Sequence, residues 1–237
     1  MSFCEDTPNE VHYNPYVELP YEGLLKCVMM DGDVIEFPYY SETTSISTST
    51  QIPYEYSEKY GTSISDSKFK NKVISAKVGE KCQTVWQQVL MSCPNLTSLT
   101  IGDNVTTIKE QAFSECENLV NLKIGSGITS AETYVFSNLG VTNVTIPNGI
   151  KLGETFSGCM NLTSVTIGSG VTFGYSTFEY CEKLNNITSL SLTAPTIDTY
   201  STFSGISRTG TLYVPKNSSG YDAWLTAFGS GWNLVEI

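Results

Sequence analysis

Four cysteines, Cys93, Cys116, Cys159 and Cys181, recur at gaps of 23, 43 and 22 residues. Thiols on a fixed period could pair as disulfides, ligate a metal or act as nucleophiles. A metal site asks for cysteine and histidine at short spacings, and the chain holds one histidine, His12. A Cys–His nucleophile pair would have to use that same residue. The gap of 43 is a doubled period in which Leu139 takes the cysteine slot. A slot that accepts Cys or Leu asks for a small buried apolar group, so these read as free core thiols. Cross-linking between neighbouring copies is the alternative. Seven cysteines, an odd number in a chain of 237 residues, do not suit a disulfide framework.

The carboxylates are the second place to look for chemistry. Asp31, Asp33 and Glu36 could gather calcium, but their spacing is not that of an EF-hand loop, and Asp31-Gly32 is already a turn signal. Glu110, Glu115, Glu117, Glu132, Glu154, Glu179 and Glu182 change slot from copy to copy of a repeat. Solvated turn residues do that; the paired acid and base of a glycoside hydrolase do not. The GSG triplets at 125–127 and 168–170 are turns, and no P-loop or dinucleotide fingerprint occurs. Asn-x-Ser/Thr triplets at Asn95, Asn104, Asn143, Asn161, Asn186 and Asn217 read as the way a coil enters its strand rather than as glycan acceptors. No catalytic residue, metal ligand or cofactor is expected.

The elements behind this spacing are an internal repeat. Residues 94–116 read PNLTSLTIGDNVTTIKEQAFSEC, and 117–139 read ENLVNLKIGSGITSAETYVFSNL. Residues 140–159 read GVTNVTIPNGIKLGETFSGC, and 160–181 read MNLTSVTIGSGVTFGYSTFEYC. Degenerate copies flank these at 73–93 and 187–206. Each copy opens on three apolar residues, such as Leu96, Leu99 and Ile101, or Ile187, Leu190 and Leu192 in the last. The second and third of each trio alternate with polar residues, the period of a half-buried strand. A triplet such as GDN, GSG or PNG then turns the chain. Phe113, Phe136, Phe156, Phe178 and Phe203, with Leu90 in the first copy, fall ten to twelve residues after the strand's last apolar residue. One coil cannot bury its apolar face alone, so the copies must stack. A mainly β solenoid of about six coils over 73–206 is predicted.

Between the apolar strand positions lie residues that point out of the sheet. They are Ser75 and Lys77, Ser98 and Thr100, Asn121 and Lys123, Asn143 and Thr145, Ser164 and Thr166, Ser189 and Ser191, then Thr211 and Tyr213. The candidate ligand contacts among them are Lys77, Ser98, Thr100, Asn121, Lys123, Asn143, Thr145, Ser164, Thr166 and Tyr213. Such a ladder is either a polar platform for a protein or glycan or a solvated surface of strand-favouring residues. It lacks the aromatic anchors of binding hot spots, so contacts would be weak singly and rely on area or copy number. Tyr39, Tyr40, Tyr54, Tyr56 and Tyr60 form a rival site near the N-terminus.

Charge and ends complete the scheme. The net charge is −11, and the first sixty residues hold eleven of the 24 acidic residues but two of the 13 basic ones. No basic stripe exists to neutralise phosphates, which argues against nucleic acid and against an anionic membrane surface. No apolar run approaches the roughly 18 residues of a spanning helix. The first thirty residues, broken by Glu5, Asp6, Glu10, Glu18 and Glu22, do not read as a signal peptide. Residues 1–20 are expected to be a tail, and 21–72 a hairpin and cap region. Within it KCVMMDGDVIEF at 26–37 lays a hairpin over the first coil, and 41–68 is a long loop or irregular strands. Residues 73–206 are the solenoid. Residues 207–237 are a C-terminal cap, with a short helix at 219–228 from the spacing of Tyr221, Trp224, Leu225 and Phe228.

The NLTS-T-I-G, V-T-I and A-F-x-x-C elements, in register over 73–206, resemble the short leucine-rich repeats of the BspA-like bacterial surface proteins. The ending TLYVPKNSSGYDAWLTAFGSGWNLVEI is similar to that family's closing segment. The resemblance implies a right-handed leucine-rich-repeat solenoid with a parallel sheet on one face, capped at both ends. It also implies a non-enzymatic, adhesive protein at the cell surface or outside the cell, a monomer that binds a host or bacterial surface protein or glycan. A structural or virion-associated repeat protein with no small-molecule ligand is the alternative.

Overall fold

The computed structural model describes residues 24–37, 45–47, 50–79, 81–198 and 200–237. His12, Cys4, Tyr39, Tyr40 and the expected tail at 1–20 lie outside the described residues. In chain order the strands begin with β1 (Leu25–Met29), β2 (Val34–Phe37) and β3 (Ser45–Ile46). Two short helices follow, α1 (Tyr54–Tyr60) and α2 (Ser67–Lys70). The repeats supply β4 (Val73–Val78), β5 (Thr84–Val85), β6 (Ser98–Ile101), β7 (Thr107–Ile108), β8 (Asn121–Lys123) and β9 (Ser130–Ala131). Then come β10 (Asn143–Ile146), β11 (Lys151–Leu152), β12 (Ser164–Ile167), β13 (Asn186–Ser189) and β14 (Gly210–Val214). Helix α3 (Asp222–Phe228) and β15 (Trp232–Glu236) close the chain.

The chain winds as a mainly β solenoid of about seven turns. Each coil's first strand stacks in parallel on the next: β4 on β6 on β8, then β10 on β12, β13, β14 and β15. A second parallel sheet, β11-β9-β7-β5-β3, runs along another side. Pairing follows sequence slots, Leu99 beside Leu122 and Val165 beside Ile187, so the apolar residues point inward in continuous rows. A third side has no strands. There the chain turns through left-handed residues at matching slots, Gln88, Gln111, Tyr134 and Ser176, then Ser92, Glu115, Asn138 and Tyr180. Coil-to-coil amide bonds persist on this side, as in Phe113 N to Val135 O at 3.1 Å and Phe156 N to Thr177 O at 2.8 Å.

The core is the interior of the stack. Phe113, Phe136, Phe156, Phe178 and Phe203 form a ladder of stacked rings with centroids 5.9, 5.2, 5.6 and 5.2 Å apart. Trp224 and Phe228 of α3, with Trp232, continue it beyond the last phenylalanine, Phe228 meeting Phe203 at 5.0 Å. The six described cysteines are free and buried. Three of the four ladder thiols donate to carbonyls of the preceding coil: Cys116 to Leu90 O at 3.2 Å, Cys159 to Phe136 O at 3.2 Å and Cys181 to Phe156 O at 3.3 Å. The slot is thus apolar in volume and still feeds one backbone acceptor.

At the N-terminal end the hairpin forms as the sequence suggests. Gly32 takes φ 91° in the turn, and β1 pairs antiparallel with both β2 and β4. The turn acids do not gather as a cation cage. Tyr60 OH donates to Asp31 at 2.6 Å and to Asp33 at 2.7 Å, and Lys59 pairs with both at 3.0 and 2.7 Å. Glu36 pairs with Lys26 at 2.8 Å. The sequence predicts loop or irregular strand at 41–68, but the described residues there carry α1 and the start of α2. Pro53 precedes the first, and Asp66 accepts from Lys68 N to cap the second. These helices bury Tyr60 and Phe69 beneath the hairpin, a tertiary gain that no apolar periodicity announces.

The last repeat departs from its expected register. Ser189 and Ser191, expected to face outward, are buried, while Leu190 and Leu192 are 49 and 63 % exposed. Strand β13 aligns Ile187 with Val165 and Ser189 with Ile167, so the inward set is Ile187 and Ser189. The register is three residues from the expected one, and any odd shift exchanges the two faces of a strand. The buried hydroxyl is satisfied from the C-terminal segment: Tyr221 OH bonds Ser189 Oγ at 2.6 Å and Ser191 O at 2.8 Å.

Candidate functional site

The outward residues of the first sheet form two rows. One runs Lys77, Thr100, Lys123, and after an interruption Thr145, Thr166, Thr188 and Tyr213. The other runs Ser75, Ser98, Asn121, and then Asn143, Ser164, Asn186 and Thr211. The sheet-face residues named from the sequence lie in these rows except Ser189 and Ser191, which are buried and whose places are taken by Asn186 and Thr188. Strands lie about 4.8 Å apart, so Lys77 and Lys123 stand roughly 10 Å from each other. The N-terminal hairpin extends the first row through Lys26, which lies beside Lys77.

The interruption is the feature that sequence spacing did not announce. Strands β8 and β10 are successive in the stack but do not pair; the first sheet splits there into two of five strands. In intact interfaces, Thr97 O accepts Val120 N and Asn121 N at 3.2 and 3.1 Å, and Thr142 O accepts Thr163 N and Ser164 N at 2.8 and 3.2 Å. Among the described residues, Val120 O receives no such pair from Thr142 and Asn143. At the strand's far end, Gly102 N donates to Val78 O at 3.1 Å and Gly168 N to Ile146 O at 3.0 Å. The residue in that slot of the short coil is Pro147, which has no N–H to give to Ile124 O.

Sterics act in the same direction. A Cβ on Gly125 would lie 2.3 Å from Gly102 O, so this turn stacks too closely for a side chain. The next copy of the slot carries the bulkier Pro147 ring, and it is there that β10 does not pair with β8. The other sides stay joined: Lys151 and Leu152 pair with Ser130 and Ala131 in the second sheet, and Phe136 stacks on Phe156. The split is thus a wedge open on one face of a continuous stack.

That wedge is a concavity of about 530 Å³ lined by Leu122, Lys123, Ile124, Ser126, Asn143, Val144, Thr145 and Pro147. Three residues named from the sequence, Lys123, Asn143 and Thr145, fall on its walls. Leu122 and Ile124 are half-buried, whereas their equivalents Leu99 and Ile101 are buried. Beside it, Ser126 N and Oγ donate to Asp103 at 2.8 and 3.1 Å. These bonds, with a smaller contribution from the Lys123 charge, hold the Asp103 carboxyl below its ordinary range.

Of the rival tyrosine group, Tyr39 and Tyr40 lie outside the described residues, and Tyr56 and Tyr60 meet with ring centroids 6.2 Å apart. Tyr60 is buried, Tyr54 is exposed, and burial with hydrogen bonds to Asp31 and Asp33 pushes the Tyr60 phenol well up. Other exposed tyrosines stand on the strandless side: Tyr134, Tyr175, Tyr180 and Tyr200. Among the described residues no group of three or more His, Cys, Asp or Glu could hold a metal ion, and no helix is long and apolar enough to cross a membrane.

The family model described as the BspA type leucine rich repeat region (6 copies) matches residues 43–154 and 83–209, together more than half of the chain. No curated protein sequence matches. Among solved structures, the pneumococcal vaccine antigen PcpA is similar at 15% identity and a TM-score of 0.59, over 87% of this chain and 46% of that one. The chain thus spans less than half the length of that protein. A leucine-rich repeat protein from T. pallidum is 14% identical over 69% of this chain and 87% of that one, with a TM-score of 0.39. One from Bacteroides ovatus is 14% identical over 69% and 66%, with a TM-score of 0.30.

Proposed function

Because the chain belongs to the BspA type leucine-rich-repeat family, we propose that it is a non-catalytic binding module of a bacterial cell surface, with an adhesin-like role toward a surface protein or glycan. The observation that carries this reading is the first sheet's outward face. It sets two rows of hydroxyls and amides beside Lys77, Lys123 and Tyr213, in register within each half of the split sheet. Such a face offers hydrogen bonds spaced at the strand interval over several coils, and among the described residues neither lysine is held in an ion pair there. A similar solved structure is named a vaccine antigen, which is consistent with exposure at a surface. Affinity should come from many weak contacts, so tethered copies should bind much better than single ones.

The test is binding of the immobilised chain to extracellular-matrix proteins, mucins and glycans, beside a variant with Lys77, Lys123 and Tyr213 changed to Ala. Saturable binding lost in the variant is expected. Binding retained in the variant would move the site off the sheet face. No binding across the panel would refute the reading.

A further inference from the structure

We propose that the strandless side of the later coils is a docking surface for a polypeptide segment rich in arginine. This surface is separate from the sheet face, and neither reading depends on the other.

Coil-to-coil amide bonds fix which residues share a slot on this side. Gln88 N, Gln111 N and Tyr134 N donate to the carbonyls of Glu110, Thr133 and Glu154. Phe113 N, Phe156 N and Phe178 N donate to those of Val135, Thr177 and Thr202. Thr133, Tyr175 and Tyr200 stand two residues before these acceptors. One slot thus runs Glu110, Thr133, Glu154, Tyr175 and Tyr200 in successive coils. Hydrogen-bonded coils repeat at about 4.8 Å, so a carboxylate and two phenol rings line up over roughly 10 Å. Tyr134 and Tyr180 stand on the same side, on backbone held in the left-handed region.

Nothing in the coil asks for rings there. The slot is solvated where it holds Glu110, yet Tyr175, Tyr180 and Tyr200 are 68, 54 and 90 % exposed. One exposed aromatic residue is ordinary; a group of them in register on a rigid backbone marks an interaction surface.

Charge selects the occupant. The Glu154 carboxylate beside it pushes the Tyr134 phenol up, and the charges of Glu179 and Glu110 add to this, so three carboxylates bear on one ring. Glu132 is already paired with Lys109 at 2.6 Å, whereas Glu110, Glu154 and Glu179 have no ion pair among the described residues. Lys183, on the same coil as Glu179, donates to Asn161 at 2.8 Å. A guanidinium meets both kinds of group at once, since it stacks flat on a tyrosine face and offers its in-plane N–H fork to a carboxylate. Phosphates and acidic glycans are repelled by the same field. An extended chain advances about 3.3 Å per residue, so roughly three residues cover the row from Glu154 to Tyr200, and arginines at alternate positions face it together.

A fluorescein-labelled peptide of alternating Arg and Gly is titrated with the full chain by fluorescence polarisation. Saturable binding that weakens with added salt is expected, and the Lys counterpart should bind less tightly. Tyr175→Ala with Tyr200→Ala should lower affinity about 5- to 25-fold, as for two exposed cation–π contacts, while Phe at both positions should retain it. Glu154→Gln with Glu179→Gln should lower it about threefold or more. Glu55→Gln with Glu58→Gln removes the same charge from exposed positions on α1 and should leave affinity unchanged. The variant with Lys77, Lys123 and Tyr213 changed to Ala should also bind the peptide unchanged. Equal losses in the two charge-matched pairs would reduce the effect to net charge and overturn the proposal. Absence of saturable binding, or binding retained in the alanine pair, overturns it. So does loss in the sheet-face variant, or a neutral oligosaccharide that needs Tyr175 and Tyr200 where the Arg peptide does not bind.

Discussion

Phe156→Ala should do more than destabilise; it should divide the molecule. Phe156 is fully buried, stacked on Phe136 at 5.2 Å and on Phe178 at 5.6 Å. Truncating a buried phenylalanine costs about 3–5 kcal/mol. Each stack contributes a further ~0.5–1.5 kcal/mol. The position matters because a solenoid's cooperativity is a sum of nearest-neighbour interfaces. The interface spanned by Phe136 and Phe156 is the one whose first sheet is split. About three ladder hydrogen bonds, at roughly 1 kcal/mol net each, are missing there. With the ring also gone, the N-terminal and C-terminal halves should uncouple. Urea unfolding followed by circular dichroism and by Trp fluorescence should then show two separated transitions. Phe113→Ala removes the same ring where the sheet is intact, and should lower the midpoint while keeping a single transition. Coincident single transitions with equal m-values in both variants would refute the reasoning.

The remaining expectations are briefer. Tyr221→Phe removes a hydroxyl bonded to buried Ser189, and should cost about 1–3 kcal/mol in urea unfolding; adding Ser189→Ala should recover some of the loss. Thr155 Oγ1 is buried without a hydrogen-bond partner, and the same slot holds Ala112 and Val135 in earlier coils, so Thr155→Val should be neutral or stabilising by up to ~1 kcal/mol. Hydrogen bonds from Tyr60 and Lys59, with the Lys59 charge, lower the Asp31 carboxyl to about 2. A depressed carboxylate stabilises above its ordinary value of 3.8 and stops doing so as pH falls toward 2. Near-UV circular dichroism should therefore show the hairpin-to-helix contact loosening between about pH 4 and 2; because Asp33 is lowered by the same partners, Asp31→Asn should diminish that step and Asp31→Asn with Asp33→Asn should abolish it. Burial raises the Cys82 thiol to about 12, and a hydrogen bond with Cys116 together with burial raises Cys93. In a Cys4→Ser background, thiol reagents at pH 8 should label the folded chain slowly and the urea-unfolded chain at six sites.

Much of this fold is legible in the sequence because a repeat states the same instruction several times. The Leu-x-x-Leu-x-Ile spacing, the phenylalanine slot and the Cys/Leu slot each fix a side of the coil. Stacking then forces equal slots together, which is why Lys77, Thr100 and Lys123 share a row. Where repetition fades, local pattern misleads. In the last copy Leu190 and Leu192 look like the inward pair, but pairing with β12 and the hydroxyl of Tyr221 select Ser189 instead. The helices at 54–60 and 67–70 have no apolar period, because their burial is decided by the hairpin they support. The wedge depends on both levels. Pro147 in a glycine slot is visible in the chain, but the unpaired strands beside it exist only once the coils are stacked this closely. Sequence determines which residue types recur and how often. The tertiary structure decides which neighbours they meet, because contact distances between coils belong to no single coil.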